Sequence, residues 1–228
     1  MDAIATQQRQ LYELYLARAC GVRFVELDHE VPKCVDSNQN SIASTIAHCK
    51  LCTRSTHAKA QIGYINERAL VAFVVEMPMG HGTQMIDSKG SQMICNIAHK
   101  VFEVEHFSIL SLLKCSAHPA SPQEIELCKP YLISQIQSLQ ASCVVLFGEV
   151  VLESLLGLDS SHKGALLNAF GKRAIATHSV SALLRNPSLK KQALEHFGLL
   201  KQFLPSGNPL YAKANFSNAP ASLAQGSQ

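Results

Sequence analysis

Four of the chain's eight cysteines stand where thiolate chemistry needs them. Cys49 and Cys52 form a C-x-x-C pair directly after a helical run, Ser41 to His48. Such a pair serves zinc, an iron–sulfur centre or a redox dithiol. A thioredoxin-like dithiol follows a strand and opens a helix, whereas this pair precedes the first long apolar run, which counts against the redox reading. Cys115 ends a strand-like segment and Cys128 lies in the helix after Pro119 and Pro122. The connection between those elements can bring both back to one site near the first strand, and four thiolates satisfy a tetrahedral zinc or a cubane cluster. Cys95, on the apolar face of a helix, and Cys143, at the start of a core strand, are expected to be buried thiols. Cys20 and Cys34 are left unassigned.

Composition sets the frame for these ligands. The chain is 228 residues long, 47% hydrophobic and 16% charged, which suits one domain with extensions and excludes wholesale disorder. No apolar stretch approaches the roughly 18 residues that cross a bilayer. The start, Met1-Asp2-Ala3 followed by Gln7, Gln8, Arg9 and Gln10, is not a secretory signal. A reducing, cytoplasmic setting follows as an expectation, with thiols acting as ligands or core residues rather than disulfides. Charge is uneven: from Asp159 onward eight Lys/Arg face two acids, a net +6, against −3 for the remainder. A basic segment of this kind suits either a phosphate-facing surface or a solvated lysine face.

The elements that must position the cysteines follow from hydrophobic pattern. Residues 1–45 read as an N-terminal helix (Ile4, Leu11, Leu14, Tyr15) and a polar connecting loop, and residues 205–228 as a disordered tail. Between them, residues 46–204 alternate strands and helices. The strands are Leu70 to Val75, Phe107 to Leu113, Cys143 to Phe147 and Arg173 to Thr177. Helices are expected over Gln92 to Phe102, from Ser121 (a capping box with Pro122 at N1) towards Leu139, over Glu149 to Leu156, and over Pro187 to Phe203. Pro130 should bend or break the second of these. The pattern predicts an α/β/α sandwich around a mostly parallel four-stranded sheet, with the active crevice at the carboxyl ends of the strands.

Set in order, several segments resemble the iron–sulfur uracil-DNA glycosylases. They are Cys49-Lys50-Leu51-Cys52-Thr53-Arg54, Phe73-Val74-Val75-Glu76-Met77-Pro78, Leu113-Lys114-Cys115 and Glu126-Leu127-Cys128-Lys129-Pro130-Tyr131-Leu132. Val144-Val145-Leu146-Phe147-Gly148, Leu155-Leu156-Gly157, Lys163-Gly164 and Ser181-Ala182-Leu183-Leu184-Arg185-Asn186-Pro187 continue the series. Together they span roughly residues 46–203. The resemblance implies a [4Fe–4S] cluster on Cys49, Cys52, Cys115 and Cys128, with zinc as the alternative occupant. It also implies a fold that flips a base out of DNA into the strand-end crevice.

Base excision asks for an acceptor near the sugar, a histidine donor for the base carbonyl, an aromatic to stack on the base and an amide to read its edge. In the family these come from a glycine-bearing acidic loop, a phenylalanine, an asparagine and a His-Pro-Ser triplet. Here the loop reads Val75-Glu76-Met77-Pro78-Met79, without the glycines that let backbone approach the base. Ile86 stands at the stacking position and Ser111 at the asparagine position. Ser179-Val180-Ser181 replaces the triplet, with His178 one place early; a one-residue shift at a strand end turns a side chain to the other face. The candidate catalytic residues are therefore Glu76, His81 (on a glycine-flanked loop) and His178, around pocket positions Pro78, Ile86, Ser111 and Ser179. Arg185, Lys190 and Lys191 are the candidate DNA contacts. These replacements predict a DNA-binding protein of repair, acting as a monomer away from membranes, that no longer excises uracil. An active glycosylase for another damaged base and a metal-stabilised partner-binding protein are the alternatives.

Overall fold

The computed structural model describes residues 39–116 and 119–204, which lie in one compact unit beginning at Gln39. The expected N-terminal helix and loop, with Cys20 and Cys34, and the expected tail from residue 205 lie outside the described residues. Four five- or six-residue strands form the centre: β2 (Val71–Val75), β5 (Phe107–Ser111), β6 (Cys143–Phe147) and β8 (Lys172–Thr177). They run parallel in the order β5-β2-β6-β8. The first three are buried along their whole length, which is why β2 and β6 read as continuous apolar runs rather than alternating ones.

The sheet has eight strands, not the four expected. The additional strands are β1 (Gly63–Tyr64), β3 (Gly80–Gly82), β4 (Gln84–Met85) and β7 (Leu166–Ala169). They extend the sheet to β4-β3-β1-β5-β2-β6-β8-β7, with β1, β4 and β7 each joining a neighbour antiparallel. Two to four residues with glycines and polar side chains carry no hydrophobic period, so such margins are set by pairing with the finished sheet. One correction concerns His81. It lies in β3, paired with Gln84 of β4, and not on a flexible loop over the crevice.

Alternate side chains divide between two cores. On one face Phe73, Phe107, Val145, Phe147 and Ile175 meet helix α3 (Lys89–Ile97), its π-helical continuation Ala98–Phe102, and helices α6 (Val180–Arg185) and α7 (Leu189–Lys201). On the other, Ala72, Val74, Leu110, Val144, Leu146 and Ala174 meet α4 (Pro122–Ser138) and α5 (Glu149–Leu156). Helices on both faces of a parallel sheet give the expected α/β/α class. The predicted capping box is present: Ser121 accepts from the Glu124 amide and Glu124 accepts from the Ser121 amide. Helix α4 runs unbroken through Pro130, because Leu132 and Ile136 beyond it are fully buried on the sheet and hold the helix in place. Helix α1 (Gln39–Ala47) spans residue 45, where the sequence divides the chain, and packs beside α4.

Phe73 is the hub of the aromatic face, with rings of Phe102, Phe107 and Phe147 at 5.8, 5.8 and 6.2 Å. Phe73→Ala should therefore cost about 3–5 kcal/mol of stability, read as a lowered urea midpoint; a loss under about 1 kcal/mol would contradict this packing.

Candidate functional site

Cys49 closes α1, its amide donating to the Ile46 carbonyl at 3.1 Å. Cys52 follows on the loop before a single helical turn, α2 (Arg54–His57). That loop is pinned to the start of α4: Thr53 Oγ1 donates to Glu124 Oε1 at 2.8 Å, the same carboxylate that caps α4. Cys128 sits two turns into α4, and Cys115 lies four residues past β5. Cys115 and Cys128 are buried, Cys49 and Cys52 half-buried, and all four are free thiols. Around them Ile46, Ala60 and Cys115 form a small separate core with Ile42, Ile62 and Tyr131.

The thiols share one electrostatic environment. Burial, followed by the charges of Cys128, Cys52 and Cys49, pushes the Cys115 thiol up to about 11, with Arg54 opposing. Burial raises Cys128 first, while the Lys114 backbone N–H, which donates to its sulfur, acts the other way. The Tyr131 hydroxyl donates to Cys49, and that bond holds Tyr131 up at about 12. Tyr131 stands three residues after Cys128 on α4, one turn along the same face.

Two cations lie inside this shell. Arg54 and Lys114 are fully buried. Arg54 Nη2 donates to the Cys115 carbonyl at 2.7 Å and touches Met77 Sδ at 3.7 Å. Lys114 Nζ donates to the Ser111 carbonyl and to Gln135 Oε1, both at 2.6 Å, and Gln135 Nε2 passes the chain on to the Ile62 carbonyl. Burial lowers Lys114 to about 7, and the charge acting in its favour is Cys128. A buried lysine whose side-chain partners are neutral keeps its charge only with an anion nearby. Thiolates supply one only when they are ionised, as in a metal-bound set. Four soft donors, an apolar wall and two enclosed cations thus fit a four-thiolate group. Among the described residues no three His, Cys, Asp or Glu side chains close on a single ion. One tetrahedral zinc, with bonds of about 2.3 Å, would draw its sulfurs to about 3.8 Å from each other.

The strand-end residues arrange differently from the thiols. Glu76, just past β2, is exposed; its carbonyl accepts from the Leu113 amide at 3.0 Å, and its carboxylate makes no hydrogen bond or ion pair among the described residues. Pro78 beside it is buried. Ser111, paired with Val75 at the end of β5, is fully buried, and its Oγ has no hydrogen-bond partner among the described residues. Ile86 is 42% exposed, its amide donating to the Met79 carbonyl. His81 in β3 stands three strand spacings from β2, about 14 Å across the sheet. Ser179 caps α6 by accepting from the Ala182 amide. Gly148, at φ +100°, is what lets Ser179 approach β6: a Cβ there would lie 3.2 Å from that of Ser179. His178 faces α7, with Nε2 2.9 Å from Gln192 Oε1 and its ring stacked on His196 at 6.2 Å. His196 in turn is buried, with Nδ1 3.1 Å from Thr177 Oγ1. Arg185 is exposed at the end of α6, and Lys190 and Lys191 are exposed in the first turn of α7.

The domain is thus an open, mostly parallel sheet covered by helices on both faces, with four thiols gathered past the end of β5. Residues 62–198 match the Uracil DNA glycosylase superfamily, and the chain belongs to that superfamily. Among curated proteins it is similar to the Type-4 uracil-DNA glycosylase of Archaeoglobus fulgidus, 24% identical over 172 residues, covering 67% of this chain and 86% of that protein. Among the described residues no helix is long and apolar enough to cross a membrane.

Sequence reasoning passed over Lys114, Gln135 and Tyr131 as parts of the site, although Lys114 adjoins Cys115 and Tyr131 lies one turn from Cys128. Two outcomes test their surroundings. Lys114→Met removes a buried cation facing thiolates, so a chelator should strip metal from the loaded chain at least about tenfold faster, with circular dichroism recording an intact fold. Unchanged retention would refute the pairing. Burial, then the neighbouring His178, lowers His196 below the ordinary histidine value. The unfolded chain, with histidine near 6.5, then takes up protons before the folded one does. Stability should be full above about pH 7 and decline as pH falls through about 6.5, and His196→Gln should flatten that slope in urea titrations. A slope unaltered by the substitution would contradict the assignment.

Proposed function

We propose that this chain is a DNA-binding iron–sulfur protein of DNA repair that keeps the glycosylase scaffold but has lost uracil excision. The observation that carries the proposal is the state of His178. Its ring is taken up by Gln192 and His196 on α7, while His81 lies on an outer strand. Neither is left as an imidazole donor at the crevice. Ser111 offers a buried hydroxyl where an amide would read a base edge, and Ile86 offers no flat ring for stacking.

Cys49, Cys52, Cys115 and Cys128 would hold the cluster, with Tyr131 and the Lys114 amide donating to sulfur and Lys114 and Arg54 offsetting charge. When bound, a [4Fe–4S] group supplies a rigid crosslink and a redox-capable centre joining α1, β5 and α4. Zinc on the same thiols is the alternative occupant. For nucleic acid the support comes from Arg185, Lys190 and Lys191. All three are exposed and without an ion pair among the described residues. Lys190 and Lys191 in the first turn of α7 oppose the helix dipole, a cost that a bound phosphate would offset. The unpartnered carboxylate of Glu76 favours a second reading, a glycosylase acting on a different damaged base.

Oligonucleotides carrying uracil, hypoxanthine or an abasic site, incubated with the full chain and then treated with alkali, separate these readings. The proposal expects no cleavage at uracil or hypoxanthine. It expects salt-sensitive binding whose slope falls by about two when Lys190 and Lys191 are both changed to alanine. Cleavage at uracil would overturn it, and cleavage at hypoxanthine alone would establish the second reading.

A further inference from the structure

One face of the molecule carries an apolar groove that neither the thiol site nor the strand-end crevice uses. Its volume is about 470 Å³. One wall is the ridge Met93, Ile97 and Val101 of α3 and its π-helical continuation, spaced four residues apart. Leu184, Leu194 and Phe197 of α6 and α7 form the other. Leu184 and Leu194 are 39% and 51% exposed, large values for leucines that line a concave surface.

Charge around the groove has one sign. Lys89 and Lys100 stand at the two ends of the first wall and Lys190 on the second, and no acidic residue is among the lining residues. All three lysines are exposed and outside every ion pair among the described residues. Along α3 and its continuation the eleven steps from Lys89 to Lys100 span about 16 Å, roughly three helical turns.

We propose that this groove docks an acidic amphipathic helix of a protein partner, with apolar residues at i, i+3 or i+4 and i+7 seated between the walls and carboxylates against the lysines. Charge complementarity selects this occupant. A second copy of the chain would bring another lysine rim against the first and be repelled. DNA would match the lysines, yet set charged backbone against Leu184, Leu194 and Met93, which gain only from apolar contact. The groove shares Lys190 with the proposed DNA contacts, while its first wall belongs to neither the thiol site nor the strand-end crevice.

The probe is a fluorescein-labelled model peptide of about 15 residues, with leucine at helical spacing and glutamate elsewhere, titrated with the full chain and followed by anisotropy. A scrambled peptide of the same composition and a lysine-for-glutamate counterpart serve as comparisons. The expected result is saturable binding of the first peptide alone, weakened by salt and by at least about tenfold in Leu194→Asp and in Lys100→Glu. Both positions are exposed, and circular dichroism melts check that each variant folds as the parent does. Equal binding of the scrambled peptide, unchanged affinity in both variants, or displacement of the peptide by plain duplex DNA from a chain carrying Lys190→Ala and Lys191→Ala would each overturn the proposal.

Discussion

A lysine ammonium with no access to water and only neutral side-chain partners constrains everything on its side of the molecule. Lys114 sits at the carboxyl end of β5, between Gln135 of α4 and the Ser111 carbonyl, and the acidic group that acts on it is the Cys128 thiol. Desolvating an ammonium in this way is unfavourable by several kcal/mol unless an anion stands close by. The same short stretch delivers Cys115, whose carbonyl receives the second buried cation, Arg54. The thiol site and the sheet edge are thus one construction. The loop with Cys49 and Cys52 is tied by Thr53 to the cap of α4, α4 brings Cys128, and β5 brings Lys114 and Cys115. Removing the negative charge of the thiol set would take from Lys114 the one charge that favours its protonated form.

The other end of the strand-end row is organised for packing. The His178 ring, stacked on His196 and bonded to Gln192, fastens the β8–α6 connection to α7. Gly164, at φ +80°, gives way to His196, since a Cβ there would fall 2.6 Å from the imidazole. Lys163 next to it pairs with Glu149 at the start of α5. His178 is thus engaged with α7, whereas the carboxylate of Glu76, past the end of β2, has no partner among the described residues.

The sequence made legible those parts where one physical rule acts alone. Continuous apolar runs at residues 71–75 and 143–147 read as strands buried on both faces, and Ser121 with Glu124 carried the cap of α4 in four residues. The marginal strands were illegible because residues such as Gly63 and Tyr64 or Gln84 and Met85 pair only once a longer strand is beside them. Pro130 was misread for the same reason: local propensity was outweighed by burial of Leu132 and Ile136. At the thiol site C-x-x-C spacing is visible, whereas the burial of Lys114 depends on α4 folding over β5 and has no local signature.

The most direct test of the thiol site is the metal and sulfide content of the full chain purified without oxygen. A thiolate set that balances Lys114 and Arg54 by holding a cubane cluster predicts a brown protein with about four irons and about four acid-labile sulfides per chain, all lost together when the cysteines are alkylated. A colourless chain containing one zinc, or no metal and four freely titrating thiols, would contradict it.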